Sequence, residues 1–139
     1  MNKTAPARPA VQHSVSVLLP AGPVAAAAAR HCVRTAIESW AVPADPYVAA
    51  LLTSELVTNA IRYSGPSVRL FVTCSCGHLR VYVHDTSPEW PAPLAAPAEA
   101  EDGRGLTLVD TLSTEWGCYR TSAGKVVYFT LALADADQA

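Results

Sequence analysis

The sequence predicts an α/β (α+β) fold, a two-layer sandwich in which helices cover one face of a mostly antiparallel, mixed sheet. Two helical patterns follow one another near the start of the chain. Alternating segments then come in pairs joined by tight turns, and a third, short helix separates the two pairs. Helices placed ahead of a hairpin-rich sheet favour a layered arrangement of this kind. With 139 residues the chain is long enough for one domain with its own core.

The chain begins with a predicted strand and a predicted helix. Residues 1–10 have the composition of a disordered tail, and Val11–Leu19 alternates between apolar and polar residues as a strand does. Pro23 stands where a helix tolerates proline, at its first position, and an alanine-rich pattern continues to about Trp40. We therefore expect a helix between these two residues.

A second helix is predicted directly after the first. Asp45 is a favourable N-cap, and Pro46 is a favourable first helical residue. The Ser-Gly-Pro sequence at 64–66 ends the helical pattern. A hairpin follows, because Val68–Thr73 and Leu79–His84 both alternate and five residues, Cys-Ser-Cys-Gly-His, separate them.

The remainder of the chain predicts a loop, a short helix and a closing hairpin. Residues 89–101 are rich in alanine and proline and show no periodicity. Residues 102–105 then lead into the short helix LTLVDTL. Two alternating segments, Glu115–Arg120 and Lys125–Leu133, are joined by a turn and complete the sheet.

Composition limits the classes of function. The formal net charge of −2 gives no electrostatic argument for a direct nucleic-acid partner. No apolar run approaches the length of a membrane span, and no secretory signal precedes the alanine-rich stretch. We expect a cytoplasmic protein with one domain over residues 11–133, a frayed tail at 134–139 and four free cysteine thiols.

Two of the cysteines, Cys74 and Cys76, are separated by one residue. Such a pair is half of a possible zinc site, but no CxxC motif or second pair accompanies it. A strand end that leads into a turn explains the same residues, and we favour that interpretation.

Glu55 and Asn59 form the first candidate site. They lie four residues apart on the second helix, so their side chains point the same way, in the middle of a face that also carries Leu52 and Leu56. A carboxylate and an amide oxygen suit Mg²⁺, and the carboxylate could instead accept a proton from a hydroxyl or water. Hydrogen bonds to neighbouring strands or to Arg62 are the purely structural alternative.

Two further features carry possible ligand contacts. Asp85 ends an apolar strand, where its carboxylate can accept a hydrogen bond from an amine such as that of adenine; a strand-terminating Asx turn is the alternative. Gly103-Arg104-Gly105 stands at a helix start, where the backbone can approach a phosphate closely, although loops entering helices often carry glycine. The GxxxxGK[ST] motif of a P-loop is absent from the sequence.

Four features follow one another along the chain: ELVTNA around Glu55 and Asn59, a strand that ends in Asp85, GRGL at a helix start, and WG and GK before a last strand. Taken in this order, they resemble the GHKL (Bergerat-fold) superfamily of ATPases and kinases, which has the histidine-kinase/Hsp90-like ATPase fold. More closely, the chain is similar to small stand-alone bacterial ATP-binding proteins of the anti-sigma-factor serine/threonine kinase type. The resemblance extends over about Ser14–Leu133.

The resemblance implies ATP and Mg²⁺ as cofactors and assigns roles to individual residues. Asn59 would help to hold Mg²⁺, Glu55 would be the general base towards a partner's serine hydroxyl, and Asp85 would bond the adenine amine. Ser87 would permit a close approach of the ligand. The phosphates would be wrapped by Gly103, Arg104, Gly105 and Leu106, with Arg62 and Lys125 as neighbours.

The sequence departs from the superfamily pattern after Asp85. The usual DxGxG is Asp85-Thr-Ser87-Pro-Glu89, without either glycine, and Val126 stands two residues after Gly124, where threonine often lies near the adenine. We expect a homodimeric kinase that phosphorylates an antagonist protein and sequesters a sigma factor or similar regulator. The alternative is a nucleotide-gated interaction module without kinase activity.

Overall fold

The chain forms three helices and one five-stranded sheet in the residues that the computed structural model describes, which are 12–20, 22–63, 67–86 and 101–133. The elements in chain order are β1 (His13–Pro20), α1 (Ala25–Ser39), α2 (Pro46–Tyr63), β2 (Ser67–Ser75), β3 (His78–Asp85), α3 (Glu101–Leu112), β4 (Glu115–Thr121) and β5 (Gly124–Ala132). The predicted tails at 1–10 and 134–139 and most of the predicted loop at 89–101 lie outside the described residues.

Every neighbouring pair of described strands is antiparallel, and the strand order is β1-β2-β3-β5-β4. The first two helices connect the neighbours β1 and β2, whereas β5 turns back from β4 and pairs with β3. The predicted α+β class is confirmed, with a sheet that is wholly antiparallel in the described strands where a mixed one was expected.

One face of the sheet is covered by the helices and forms the core. Leu70, Val83 and Val127 stand side by side on β2, β3 and β5, and all three are buried. α2 contacts these three central strands, α1 lies towards β1, and α3 lies towards β4. The alternation of apolar side chains along each strand therefore decides which face the helices cover.

The start of α2 follows the prediction. Asp45 Oδ1 accepts hydrogen bonds from the backbone N–H groups of Tyr47, at 2.9 Å, and Val48, at 3.3 Å. The side chain thus satisfies N–H groups that have no partner within the helix, which confirms the N-cap.

α1 begins at Ala25, two residues later than predicted. The backbone N–H of Ala25 donates to the carbonyl of Gly22 at 3.1 Å, so Pro23 lies in a turn ahead of the helix. Ala29 and Val33 continue the helical spacing and are fully buried.

The β2–β3 hairpin is tighter than predicted. Its turn consists of two residues, Cys76 with φ 52° and Gly77 with φ 77°, both in the left-handed region. Such a turn matches the twist of the flanking strands, so pairing continues outwards to Ser75 and His78. Cys74 lies in the strand and Cys76 in the turn, as the structural interpretation of this pair expects.

Among the described helices none is long and apolar enough to cross a membrane.

Candidate functional site

The polar pair of α2 lies at the edge of the buried side of the helix. Glu55 and Asn59 are half-buried, and Leu51, one turn before Glu55, is 38% exposed. The prediction that the pair falls in the middle of the buried face is therefore wrong. By contrast, the polar residue Thr53 of α2 is fully buried, and its hydroxyl donates a hydrogen bond to the carbonyl of Ala49 at 2.7 Å.

The donor set of this pair suits a hard cation that is shared with a ligand. Mg²⁺ prefers oxygen ligands, and it commonly takes only one or two from the protein and the rest from water and phosphate. Glu55 and Asn59 offer a carboxylate and an amide oxygen one helical turn apart, both within reach of solvent. In the described part of the chain no three His, Cys, Asp or Glu side chains gather into a metal site.

Arg62 lies in the last turn of α2 and is exposed. It follows Asn59 by three residues, so it belongs to the same side of the helix. A cation there also suits the negative end of the helix dipole.

Asp85 is a buried carboxylate paired with a buried ammonium. Lys125 Nζ donates to Asp85 Oδ1 at 2.9 Å, and the two side chains are 4% and 0% exposed, respectively. The two residues are direct partners in the β3–β5 register, on the face that the helices cover. Asp85 follows Val83 as the last inward-facing residue of β3, and Lys125 precedes Val127 as the first inward-facing residue of β5.

Gly124 makes the close approach of the two strands possible. Its backbone φ of +156° is rarely adopted by residues that carry a side chain. A Cβ atom at this position would lie 2.0 Å from the backbone oxygen of Asp85. The glycine therefore allows the backbones of β3 and β5 to approach each other closely at Asp85.

Lys125, rather than Val126, is the β5 residue beside Asp85. Val126 points to the opposite face of the sheet, between His84 and Tyr119 on the neighbouring strands. The resemblance to the GHKL superfamily implies a position for Lys125 near the phosphates and does not predict the ion pair. The signal was present, because Lys125 continues the inward alternation of β5.

α3 contains the glycine-rich segment instead of following it. The helix begins at Glu101, so Gly103, Arg104, Gly105 and Leu106 lie in its first two turns. The first four N–H groups of a helix lack partners within it, and acidic residues are favoured at that end.

Trp116 Nε1 on β4 donates to Asp110 Oδ1 at 2.8 Å, which ties the helix to the sheet. The predicted site residue Ser87 lies outside the described residues.

The face of the sheet opposite the helices, here called the open face, carries an aromatic cluster. Tyr82 and Tyr119 pack against Tyr128, with ring centroids 5.9 Å and 6.3 Å apart. Phe71 is 36% exposed and Tyr119 47% exposed. Arg80 and Glu115 flank this cluster as the two cross-strand neighbours of Thr130.

Fold and site together define a histidine kinase-like ATPase domain. The family model with that description matches residues 19–131, which include the α2 pair, Asp85, Lys125 and α3. The chain therefore belongs to the histidine kinase-like ATPase domain family, and the resemblance to the GHKL superfamily is confirmed.

The chain is also similar to one bacterial protein sequence and to two solved histidine kinase structures. An uncharacterized protein of Streptomyces coelicolor is 41% identical over 70 residues, which are 46% of this chain and 66% of that protein. The histidine kinase domain of the Erythrobacter litoralis EL346 blue-light activated histidine kinase is 28% identical, with a TM-score of 0.50 over 63% of this chain and 44% of that one. Acinetobacter baumannii histidine kinase AdeS shares the fold, with a TM-score of 0.55 at 14% identity, over 87% of this chain and 68% of that one. The chain thus spans less than two thirds of the first two relatives.

Proposed function

We propose that this chain is an ATP-binding protein serine/threonine kinase of the anti-sigma-factor type, which phosphorylates an antagonist protein and binds a sigma factor or a similar regulator. The observation that carries the proposal is the buried carboxylate of Asp85, at the end of β3 on the sheet face that α2 covers. Family membership supports a nucleotide ligand. The serine/threonine specificity and the regulator rest on the motif resemblance.

The residues present suit ATP with Mg²⁺. Asp85 accepts a hydrogen bond from the base, and the amide oxygen of Asn59 is a ligand for the metal. The unpaired N–H groups of the first turn of α3, which include those of Gly103 and Arg104, bind phosphate oxygens. Bound Mg²⁺ supplies positive charge that offsets the charge of the phosphates.

Glu55 is the general base of the proposed transfer. The hydroxyl oxygen of a serine or threonine forms a bond to the γ-phosphorus, the bond to the β–γ bridging oxygen breaks, and the hydroxyl proton passes to the Glu55 carboxylate as ADP leaves. Glu55 is half-buried, so its carboxylate is accessible to a protein substrate. Positioning and charge neutralisation provide most of the catalysis in this kind of reaction.

Calorimetric titration with ATP tests the nucleotide site. We expect a Kd of about 1–100 μM that requires Mg²⁺ and weakens at least about tenfold in Asn59→Ala. Thr58→Ala is the matched control, because Thr58 is the exposed neighbour of Asn59 on the same helix. Equal binding by the two variants, or no binding by the unmodified chain, would contradict the proposal.

Label transfer from γ-labelled ATP to a serine/threonine peptide library tests the activity. Glu55→Gln should abolish transfer and keep ATP binding, whereas Glu38→Gln, on the exposed side of α1, should change neither. Tight ATP binding without transfer by the unmodified chain would instead support the nucleotide-gated interaction module.

A homodimer through the open face completes the proposal, and its charges favour a second copy of this chain as the occupant. Arg80 and Glu115 lie at the same level of the sheet, on either side of β5. With a two-fold axis parallel to β5, Arg80 of each copy faces Glu115 of the other copy, and the two Tyr128 side chains contact each other.

Charge reversal tests this interface by sedimentation. Arg80→Glu and Glu115→Arg should each shift the equilibrium towards monomer, since like charges then face each other, and the double variant should restore the dimer. A monomeric unmodified chain, or a double variant no better than either single one, would overturn the interface.

A further inference from the structure

The proposed function uses Asp85 alone at the base, but the structure gives that carboxylate a charged companion. Lys125 Nζ lies 2.9 Å from Asp85 Oδ1, and both side chains are almost completely removed from solvent. A buried ion pair loses the hydration of both charges, so its remaining donors and acceptors need partners of their own. An ammonium has three N–H donors, and Asp85 accepts one of them.

The pair presents an acceptor and a donor next to each other. Asp85 and Lys125 are held side by side by the β3–β5 register, and Gly124 brings the two strand ends close together. The edge of adenine carries the complementary pattern, in which the amino N–H lies next to the ring acceptor N1. Guanine and hypoxanthine carry the reverse order at the same two positions, a carbonyl oxygen followed by a ring N–H.

We infer that Lys125 is a base-recognition residue, which donates a hydrogen bond to adenine N1 while Asp85 accepts one from the adjacent amino group. The inference rests on the proposed function, because it needs a nucleotide base at Asp85. It assigns the choice between adenine and the 6-oxopurines to a pair of side chains rather than to the carboxylate alone.

Burial makes this recognition selective. In a site closed to water, a ligand with the wrong atom leaves a charged donor or acceptor without a partner, and water does not replace the lost bond. Sites built on such buried polar groups reject analogues that lack the matching atom more strongly than apolar pockets do. Lys125 and Asp85 are such buried polar groups, with side chains 4% and 0% exposed, respectively.

Two ATP analogues test the inference on the unmodified chain. 1-Deaza-ATP replaces N1 with carbon and keeps the amino group, so it should bind about 10- to 100-fold more weakly than ATP, the range for a hydrogen bond to a charged group. ITP, which carries the carbonyl and the ring N–H, should bind more weakly still, because it mismatches both side chains.

The variants identify Lys125 as the donor. In Lys125→Met, ATP should lose most of its advantage over 1-deaza-ATP, so that the two dissociation constants become equal within about twofold. Arg120→Met is the matched control, because Arg120 is the cross-strand partner of Lys125 on β4, is exposed, and has no assigned role at the base. It should keep the full difference between the two ligands.

The outcomes separate this inference from the proposed function. ATP and 1-deaza-ATP binding equally to the unmodified chain, or ITP binding more tightly than ATP, would overturn the role of Lys125 and leave ATP binding in place. No binding of any nucleotide would overturn the proposed function together with this inference. The comparison of ligands on the unmodified chain decides the matter even where Lys125→Met does not fold.

Discussion

The two ends of the candidate site are built in opposite ways. At the base end, Asp85 and Lys125 are buried, paired and fixed by strand register. At the α2 end, Glu55 and Asn59 are half-buried at the edge of the side of α2 that packs into the core. Removing one partner at the base end should therefore cost stability, whereas the same change at the α2 end should affect ligand binding with little effect on stability. Measurements of stability and of binding should separate the two ends.

The largest expected effect comes from removing one charge at the base end. Asp85→Asn leaves the Lys125 ammonium buried beside a neutral amide, so the free energy of unfolding should fall by about 3–5 kcal/mol. Glu55→Gln makes the same chemical change at the α2 end and should alter it by no more than about 0.5 kcal/mol. Urea unfolding measures both.

The double variant Asp85→Asn/Lys125→Met is the control for this comparison. It removes the unpaired charge, so it should recover most of the lost stability. Equal losses for Asp85→Asn and Glu55→Gln would show that the two ends do not differ as described.

A smaller effect is expected when the strands at the base end are forced apart. Gly124→Ala places a methyl group against the backbone oxygen of Asp85 and strains the backbone, which should cost about 2–3 kcal/mol of unfolding free energy. Gly117→Ala is the matched control, because its Cβ meets only the end of the Tyr128 side chain, at 2.9 Å. Similar losses of unfolding free energy in Gly124→Ala and Gly117→Ala would contradict the conclusion that the close contact between the β3 and β5 backbones requires glycine.

The smallest effect concerns the Cys118 thiol, on β4 next to this end. Burial raises the pKa of Cys118 above its ordinary value, while the positive charges of Lys125 and Arg120 lower it and Asp85 adds a small rise. A raised pKa means less thiolate at a given pH, so alkylation should become fast only at higher pH than for a free cysteine. Removing a cation in Arg120→Met should move the alkylation profile further upwards in pH.

Rates of iodoacetamide labelling, followed by mass spectrometry across pH, measure this shift. The exposed Cys76 serves as the internal reference. A profile for Cys118 that moves downwards in Arg120→Met would contradict the assigned electrostatics.

The sequence predicted those features that depend on local pattern. Alternation in β3 predicts which side chains face the helices, and Asp45 with Pro46 predicts the start of α2. The start of α1 was missed by two residues, because the turn over Pro23 closes through a backbone hydrogen bond that has no side-chain signature.

Features that depend on pairing between distant segments were not predictable in the same way. Asp85 was identified as a candidate, but its partner stands 40 positions away on a strand whose register only the folded sheet defines. Likewise, a helical wheel places Glu55 and Asn59 on an apolar face, and only packing shows that the buried side is centred elsewhere, around residues such as Thr53.

The central claim is that both ends belong to one nucleotide site, and ¹H–¹⁵N NMR titration with adenosine and with Mg²⁺–ATP tests it most directly. Adenosine should shift the amide signals around Asp85 and Lys125 but not those of Glu55 and Asn59, whereas Mg²⁺–ATP should shift both groups. Asn59→Ala should weaken Mg²⁺–ATP about tenfold and leave adenosine binding unchanged. Adenosine shifts confined to α2, or equal weakening of both ligands by Asn59→Ala, would contradict the account.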